Sequence, residues 1–173
     1  MERMYMDAIE NIFTRRSVRH FGPNPVPDEE LDILLRAAMQ APSAGNAQPW
    51  HFVVITDRKV LDEVPKFHTS AEFIFEAPVA ILICADENVA RPGRWLLDCS
   101  AAAENMLLAA HARGLGACWV GIQPDPVRIE GVSTLIGLPA TVHPLCLIAV
   151  GYPTETPPTV DRYLPERIHA NHW

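Results

Sequence analysis

Apolar residues recur along this chain at two spacings, and the switches between them outline its elements. Ile9, Ile12 and Phe13 stand at helical spacing and predict a first helix over 6–13. Leu31, Leu34, Leu35, Ala38 and Met39 share one face of a second helix, with Asp28 as its expected cap. Glu29 and Glu30 complement its dipole, and Pro42 sets its limit. Phe52, Val53, Val54 and Ile55 are consecutive, which predicts a strand over 51–56 covered on both faces. The apolar runs 79–85 and 144–151 predict two further strands, the first of them central. Leu96, Cys99, Ala103, Met106, Leu107 and Ala110 repeat at three and four and predict the longest helix, over 94–113. A short strand over 117–121 follows. Asp125 and Pro126 then open a helix with Val127, Val132, Leu135 and Ile136 inward.

Proline and glycine punctuate this pattern. Gly22-Pro23-Asn24-Pro25 excludes regular structure, Gly114 and Gly116 end the long helix, and Gly137-Leu138-Pro139 stops the last one. Asp57 caps a short helix through Val64, and the aromatic stretch 67–75 reads as a lid or a packed loop. Ala101, Ala102, Ala109 and Ala112 give the long helix a low profile, suited to a neighbouring helix of the same subunit or of a second one. From Tyr152 onward the periodicity stops, and Pro153, Pro157 and Pro158 predict an extended arm. Such an arm either wraps its own subunit or embraces another. No repeat or linker divides the chain, so 1–173 is expected as one domain with 152–173 as its arm.

Composition narrows the classes. With 173 residues, 49% of them apolar, the chain can bury a real core. A net charge of -7 argues against nucleic acid as a partner. No apolar run is long enough to span a bilayer, and residues 1–7 lack the order of a signal peptide, so a cytoplasmic protein with no membrane partner is expected. The four cysteines are dispersed in apolar runs and read as buried thiols. His169 and His172 could share a helix face but have no third ligand nearby, so no metal site is expected.

Against the acidic background, Arg15-Arg16-Ser17-Val18-Arg19 places three arginines within five positions. Such a cluster is either a solvated basic turn or an anion site, because its charges repel unless an anion sits among them. The loop 41–50 offers Ser43, Asn46 and Gln48 beside Trp50, which suits the polar edge of a planar heterocycle or an ordinary connection. Gly121 ends its strand where a backbone amide can approach a ligand closely. There is no Gly-x-Ser-x-Gly, no His-Glu-x-x-His and no phosphate loop. A phosphate-like cluster without an acid–base set fits a cofactor that carries its own chemistry.

Three motifs in order, Arg15-Arg16-Ser17-Val18-Arg19-x-Phe21, Ala41-Pro42-Ser43-Ala44-Gly45-Asn46-Ala47-Gln48-Pro49-Trp50 and Gly114-Leu115-Gly116-Ala117-Cys118-Trp119-Val120-Gly121, closely resemble the FMN-dependent nitroreductase family. The resemblance implies an α+β fold with a mostly antiparallel sheet flanked by helices. It implies an intertwined homodimer with exchanged C-terminal arms and FMN at the interface. By position, Arg15, Arg16 and Ser17 would hold the phosphate and ribityl chain, and Arg162 (or Arg167) would complete the phosphate site. Arg19 would approach the pyrimidine edge, Asn46 and Gln48 would serve the ring, and Pro42 and Ser43 would contact the partner subunit's flavin. Trp119, Val120 and Gly121 would line the site, with the Val120 and Gly121 amides near N5. No catalytic side chain is implied. The implied activity is ping-pong transfer from NADH or NADPH through FMN to a small electron-poor acceptor, a nitroaromatic or quinone. A flavin-binding carrier or sensor without nicotinamide turnover would carry the same motifs. The chain is short for the family, and residues 65–75 are the candidate wall of the acceptor pocket.

Overall fold

The computed structural model describes residues 6–173, so the reading of the first five residues lies outside it. Strands β1 (Trp50–Ile55), β2 (Val79–Asp86), β3 (Gly116–Gly121) and β4 (Val142–Gly151) form one antiparallel sheet in the order β1-β2-β4-β3. Both central strands alternate between two cores. Val79, Ile81, Ile83 and Ala85 of β2 face one side with Cys146, Ile148 and Val150 of β4. Ala80, Leu82 and Cys84 face the other with Leu147 and Ala149. A continuous apolar run is what a strand covered on both faces requires.

Helices supply the two covers. Helices α1 (Ala8–Thr14), α2 (Asp28–Met39) and α5 (Trp95–Ala112) belong to one side, with α2 and α5 packing on the first core. The short α3 (Arg58–Leu61) and α4 (Val64–Phe67), a 3-10 segment at Thr69–Phe75, and α6 (Pro126–Ile136) cover the second. Cys99, Ala102, Ala103, Met106 and Ala110 of α5 are fully buried, and the ion pair between Arg113 and Glu30 locks α5 to α2. The aromatic stretch 67–75 is packed, as a short helical segment in place of the expected lid or loop: Ala71 and Ile74 are buried, and Arg58 donates to the carbonyls of Ile74, Phe75 and Ala77. Among the described residues no helix is long and apolar enough to cross a membrane.

Several expectations need correction. β1 is an edge strand and is covered on both faces only in part: Trp50 and Phe52 pack on the first core and Val53 and Ile55 on the second, while His51 and Val54 are exposed. Asp28 does not cap α2, because the helix starts at Asp28 itself with Pro27 in the cap position. Asp7, Asp57 and Asp125 do cap their helices through side-chain oxygens. Leu96 and Val127 face outward, each lying in the first two residues of a helix, where the chain has not yet turned onto the core. His169 and His172 share no helix face, since the segment holding them is irregular. α1 buries none of its residues, and Ile9, Ile12 and Phe13 are all exposed. The arm from 158 onward is likewise exposed and carries Val160, Tyr163, Leu164, Ile168 and Trp173.

Candidate functional site

The arginine segment runs along the outer edge of β3. Ser17 bridges Ala117, and the Val18 N–H donates to the Ala117 carbonyl at 3.0 Å. Gly116 makes this approach possible, because a Cβ there would fall 2.7 Å from Val18 Cγ1. The three guanidiniums diverge from this edge. Arg15 lies 3.2 Å from Glu104 of α5. Arg16 donates to the carbonyls of Phe13, Arg15, Pro158 and Val160 at 2.6–3.2 Å. Arg19 sits over the Phe73 ring, 5.8 Å from its centroid, while its backbone N–H donates to Glu155 at 2.6 Å. Arg15, Arg16 and Arg162 nevertheless line one cavity of about 620 Å³, walled by Ile12, Phe13 and Tyr163; Arg167 does not line it.

The second motif is a strained loop. Gly45, Asn46 and Gln48 have φ of 59°, 54° and 49°, and L side chains avoid this region. Local bonds over-determine the shape. Ser43 Oγ accepts the Gln48 N–H at 3.0 Å, and Gln48 Nε2 donates to Asn46 Oδ1 at 3.1 Å. Asp98 Oδ1 accepts the Ala44 N–H at 2.9 Å. Gly45 backs onto Arg91, where a Cβ would meet Nε at 3.0 Å. Ser43, Asn46 and Gln48 thus first hold each other; the Asn46 amide nitrogen and the Gln48 side-chain carbonyl remain for a ligand, and Pro42 is exposed beside them.

At the third motif the strand pairing decides which groups can meet a ligand. Ala117 points its carbonyl outward to Val18, and Gly121 points its carbonyl outward to His68 and Arg128. Ile122, one residue on, donates inward to Leu145. Backbone groups alternate along a strand, so Trp119 and Gly121 present their amides to the outer edge and Val120 directs its own toward Leu147 of β4. This corrects the expectation for Val120: its amide serves the sheet and its side chain is buried, leaving Gly121 as the outward amide of that pair. Trp119 is half-buried against the α5 side.

Two polar side chains are buried among the described residues, His68 and Asp98, each 5% exposed. Each bonds a backbone group of one motif, Gly121 and Ala44 respectively. Sequence reasoning missed both. A lone carboxylate four residues before buried Ala102 was a signal for Asp98. His68 had none, because its partner lies 53 residues away. Burial, then the nearby Arg128, push the His68 imidazole below its ordinary range and keep it neutral. Taken together, the donor set can hold an anion and the polar edge of a ring, and it includes no paired acid and base.

A sequence model described as the nitroreductase family matches residues 12–68 and 65–152. A protein of Methanothermobacter thermautotrophicus, provisionally named NADH dehydrogenase/NAD(P)H nitroreductase, is 45% identical over 169 residues, covering 97% of this chain and 88% of its own. A crystal structure of a similarly named protein from Parabacteroides distasonis superposes with a TM-score of 0.93 at 42% identity, over 96% of this chain and 98% of that one. A nitroreductase-type structure from Desulfovibrio desulfuricans, solved in complex with FMN, gives 0.84 at 30% identity, over 97% of this chain and 98% of that one.

Proposed function

The chain belongs to the nitroreductase family, and from that premise we propose that it is an FMN-dependent oxidoreductase acting as a homodimer with the cofactor at the subunit interface. The observation that carries this reading is the shared edge of β3, where the Arg15–Arg19 segment runs beside Ala117 and the Gly121 amide faces outward. The residues fit the cofactor. Guanidiniums of Arg15, Arg16 and Arg162 around one cavity suit a phosphate, joined by the Ser17 hydroxyl. Gly121 has no side chain, and a Cβ there would meet nothing closer than 3.9 Å, so a flat ring can approach its amide.

When bound, FMN supplies the redox chemistry, taking a hydride from NADH or NADPH and passing the electrons to an electron-poor acceptor such as a nitroaromatic or quinone. The chain's own part is to bind and orient. Arg19, whose exposed guanidinium lies over Phe73, would place a cation beside the ring, where negative charge grows on reduction. Asn46 and Gln48 would read the polar edge, Trp119 would pack beside the ring, and Pro42 and Ser43 would reach the other subunit's cofactor. Exposed Ile9, Ile12 and Phe13, with the apolar residues of the arm, support association with a second copy. Exchange of the arm would move Pro158 and Val160 off Arg16 and turn its donors to the phosphate. A cytoplasmic location, with its supply of nicotinamide donors, fits this reading.

The test is a visible spectrum of the purified protein. Bound or added FMN with bleaching by NADH or NADPH, then recovery on adding a quinone, is the expected result. A protein that binds no FMN overturns the reading; flavin that neither nicotinamide reduces would make it a carrier or sensor instead.

A further inference from the structure

We propose that His68 is a positioning residue for the cofactor site, donating from Nε2 to the Gly121 carbonyl at 2.9 Å and so holding in place the end of β3 that carries the outward Gly121 amide. The inference rests on the FMN reading above. Glycine lacks the Cβ that restricts a backbone, so its orientation at a strand end has to come from its hydrogen bonds. Gly121 is the last residue of β3, and beyond it Ile122 and Gln123 both donate to the single Leu145 carbonyl as the chain turns away. The Gly121 carbonyl therefore anchors the end of the edge, and it receives two donors, His68 Nε2 and Arg128 Nη1 at 3.1 Å.

The two donors are unequal. Arg128 is one-third exposed and shares its charge with Asp125 at 3.2 Å, whereas His68 is buried. A carbonyl only accepts, so Nε2 carries the proton, and Nδ1 is left to accept from the Ser70 hydroxyl at 3.3 Å. Arg128 and Asp125 are the charged groups bearing on the imidazole, and burial together with Arg128 holds it neutral in this tautomer. His68 also begins the Thr69–Phe75 segment, whose Phe73 carries Arg19. One imidazole thus ties together the amide beside the ring, the cation beside the ring and the candidate pocket wall.

His68→Leu removes the donor at similar volume, and His68→Gln restores an N–H near the Nε2 position. Two readouts decide the matter. In the full-length protein without added flavin, the Gly121 and Ile122 amide resonances should move in His68→Leu and return toward wild type in His68→Gln. Unmoved resonances in His68→Leu overturn the inference. By fluorescence titration, FMN affinity should fall about tenfold in His68→Leu, the equivalent of one lost hydrogen bond, and recover to within about threefold in His68→Gln. Equal affinity of His68→Leu and wild type overturns it, as does a loss in His68→Leu that His68→Gln does not recover. If wild type binds no FMN, the functional reading falls, and with it the cofactor role assigned to His68.

Discussion

Asp98 Oδ1 accepts the Ala44 N–H at 2.9 Å, and this bond joins the first turn of α5 to the loop that holds Ser43, Asn46 and Gln48. Its second oxygen is buried without a partner in the structure. Burying a carboxylate oxygen without a partner costs free energy, and the bond to Ala44 offsets part of that cost while it shapes the loop. Asp98→Ala should lower stability by about 1.5–3 kcal/mol in urea titration, the range for a hydrogen bond to a charged group, and should weaken FMN binding. Asp98→Asn, which keeps an acceptor and adds a donor, should lose less of both. Unchanged FMN affinity in Asp98→Ala would detach the loop from the site.

Gly131 faces Phe67, and a Cβ there would fall 2.4 Å from Phe67 Cγ. Helical Gly→Ala ordinarily gains up to about 1 kcal/mol. Here Gly131→Ala should instead destabilise by about 1–3 kcal/mol, because Phe67 must leave its packed position. Chemical denaturation of the single variant measures the sign directly.

Burial lowers the proton affinity of both His68 and His111, helped at His68 by Arg128 and at His111 by Arg15 and Arg16. Both folded values lie below the ordinary 6.5, so the unfolded chain takes up protons first as pH falls. The stability from the neutral imidazoles is complete above that value and is lost as pH drops through the depressed folded values. Tm should therefore fall between pH 7 and pH 5, and the His68→Gln, His111→Gln double variant should show a shallower slope there.

Arg16→Ala removes donors from the proposed phosphate site and the two bonds to the arm at Pro158 and Val160. FMN affinity should drop by about 1.5–3 kcal/mol, the worth of a charge-assisted contact. Deleting 157–173 should give monomers that cannot retain flavin. Flavin-bound dimers after truncation, seen by light scattering with absorbance, would show the arm to be dispensable.

Burial pushes Cys84 and Cys99 up to about 12 and raises Cys146 well above its ordinary value. Thiol reagents need the thiolate. At pH 8 these three should stay unreactive toward a colorimetric disulfide reagent and should titrate together only on unfolding.

Much of the frame was legible because local rules and burial agree there. β2 is apolar from Val79 to Ala85 and β4 from Leu145 to Val150, and both strands proved central. Gly114, with φ of 73°, ends α5 as its position suggested. The failures came where neighbours decide. Val54 looks as apolar as Ile81, but β1 lies at the edge of the sheet and Val54 stays exposed there, whereas Ile81 is fully buried on a central strand. Val120 looked as able as Gly121 to offer an amide, until pairing with Leu147 assigned its backbone to the sheet.

By itself, the sequence determined the order of elements, the two-sided core and the three motifs that bear on the site, because periodicity, caps and turn residues act over a few positions. Only the tertiary structure decided how those motifs are held. His68 reaches Gly121 across 53 positions and Asp98 reaches Ala44 across 54. Hydrogen bonds between groups so far apart leave no periodic trace, since they depend on where the sheet brings two chain segments together, not on what stands beside either one.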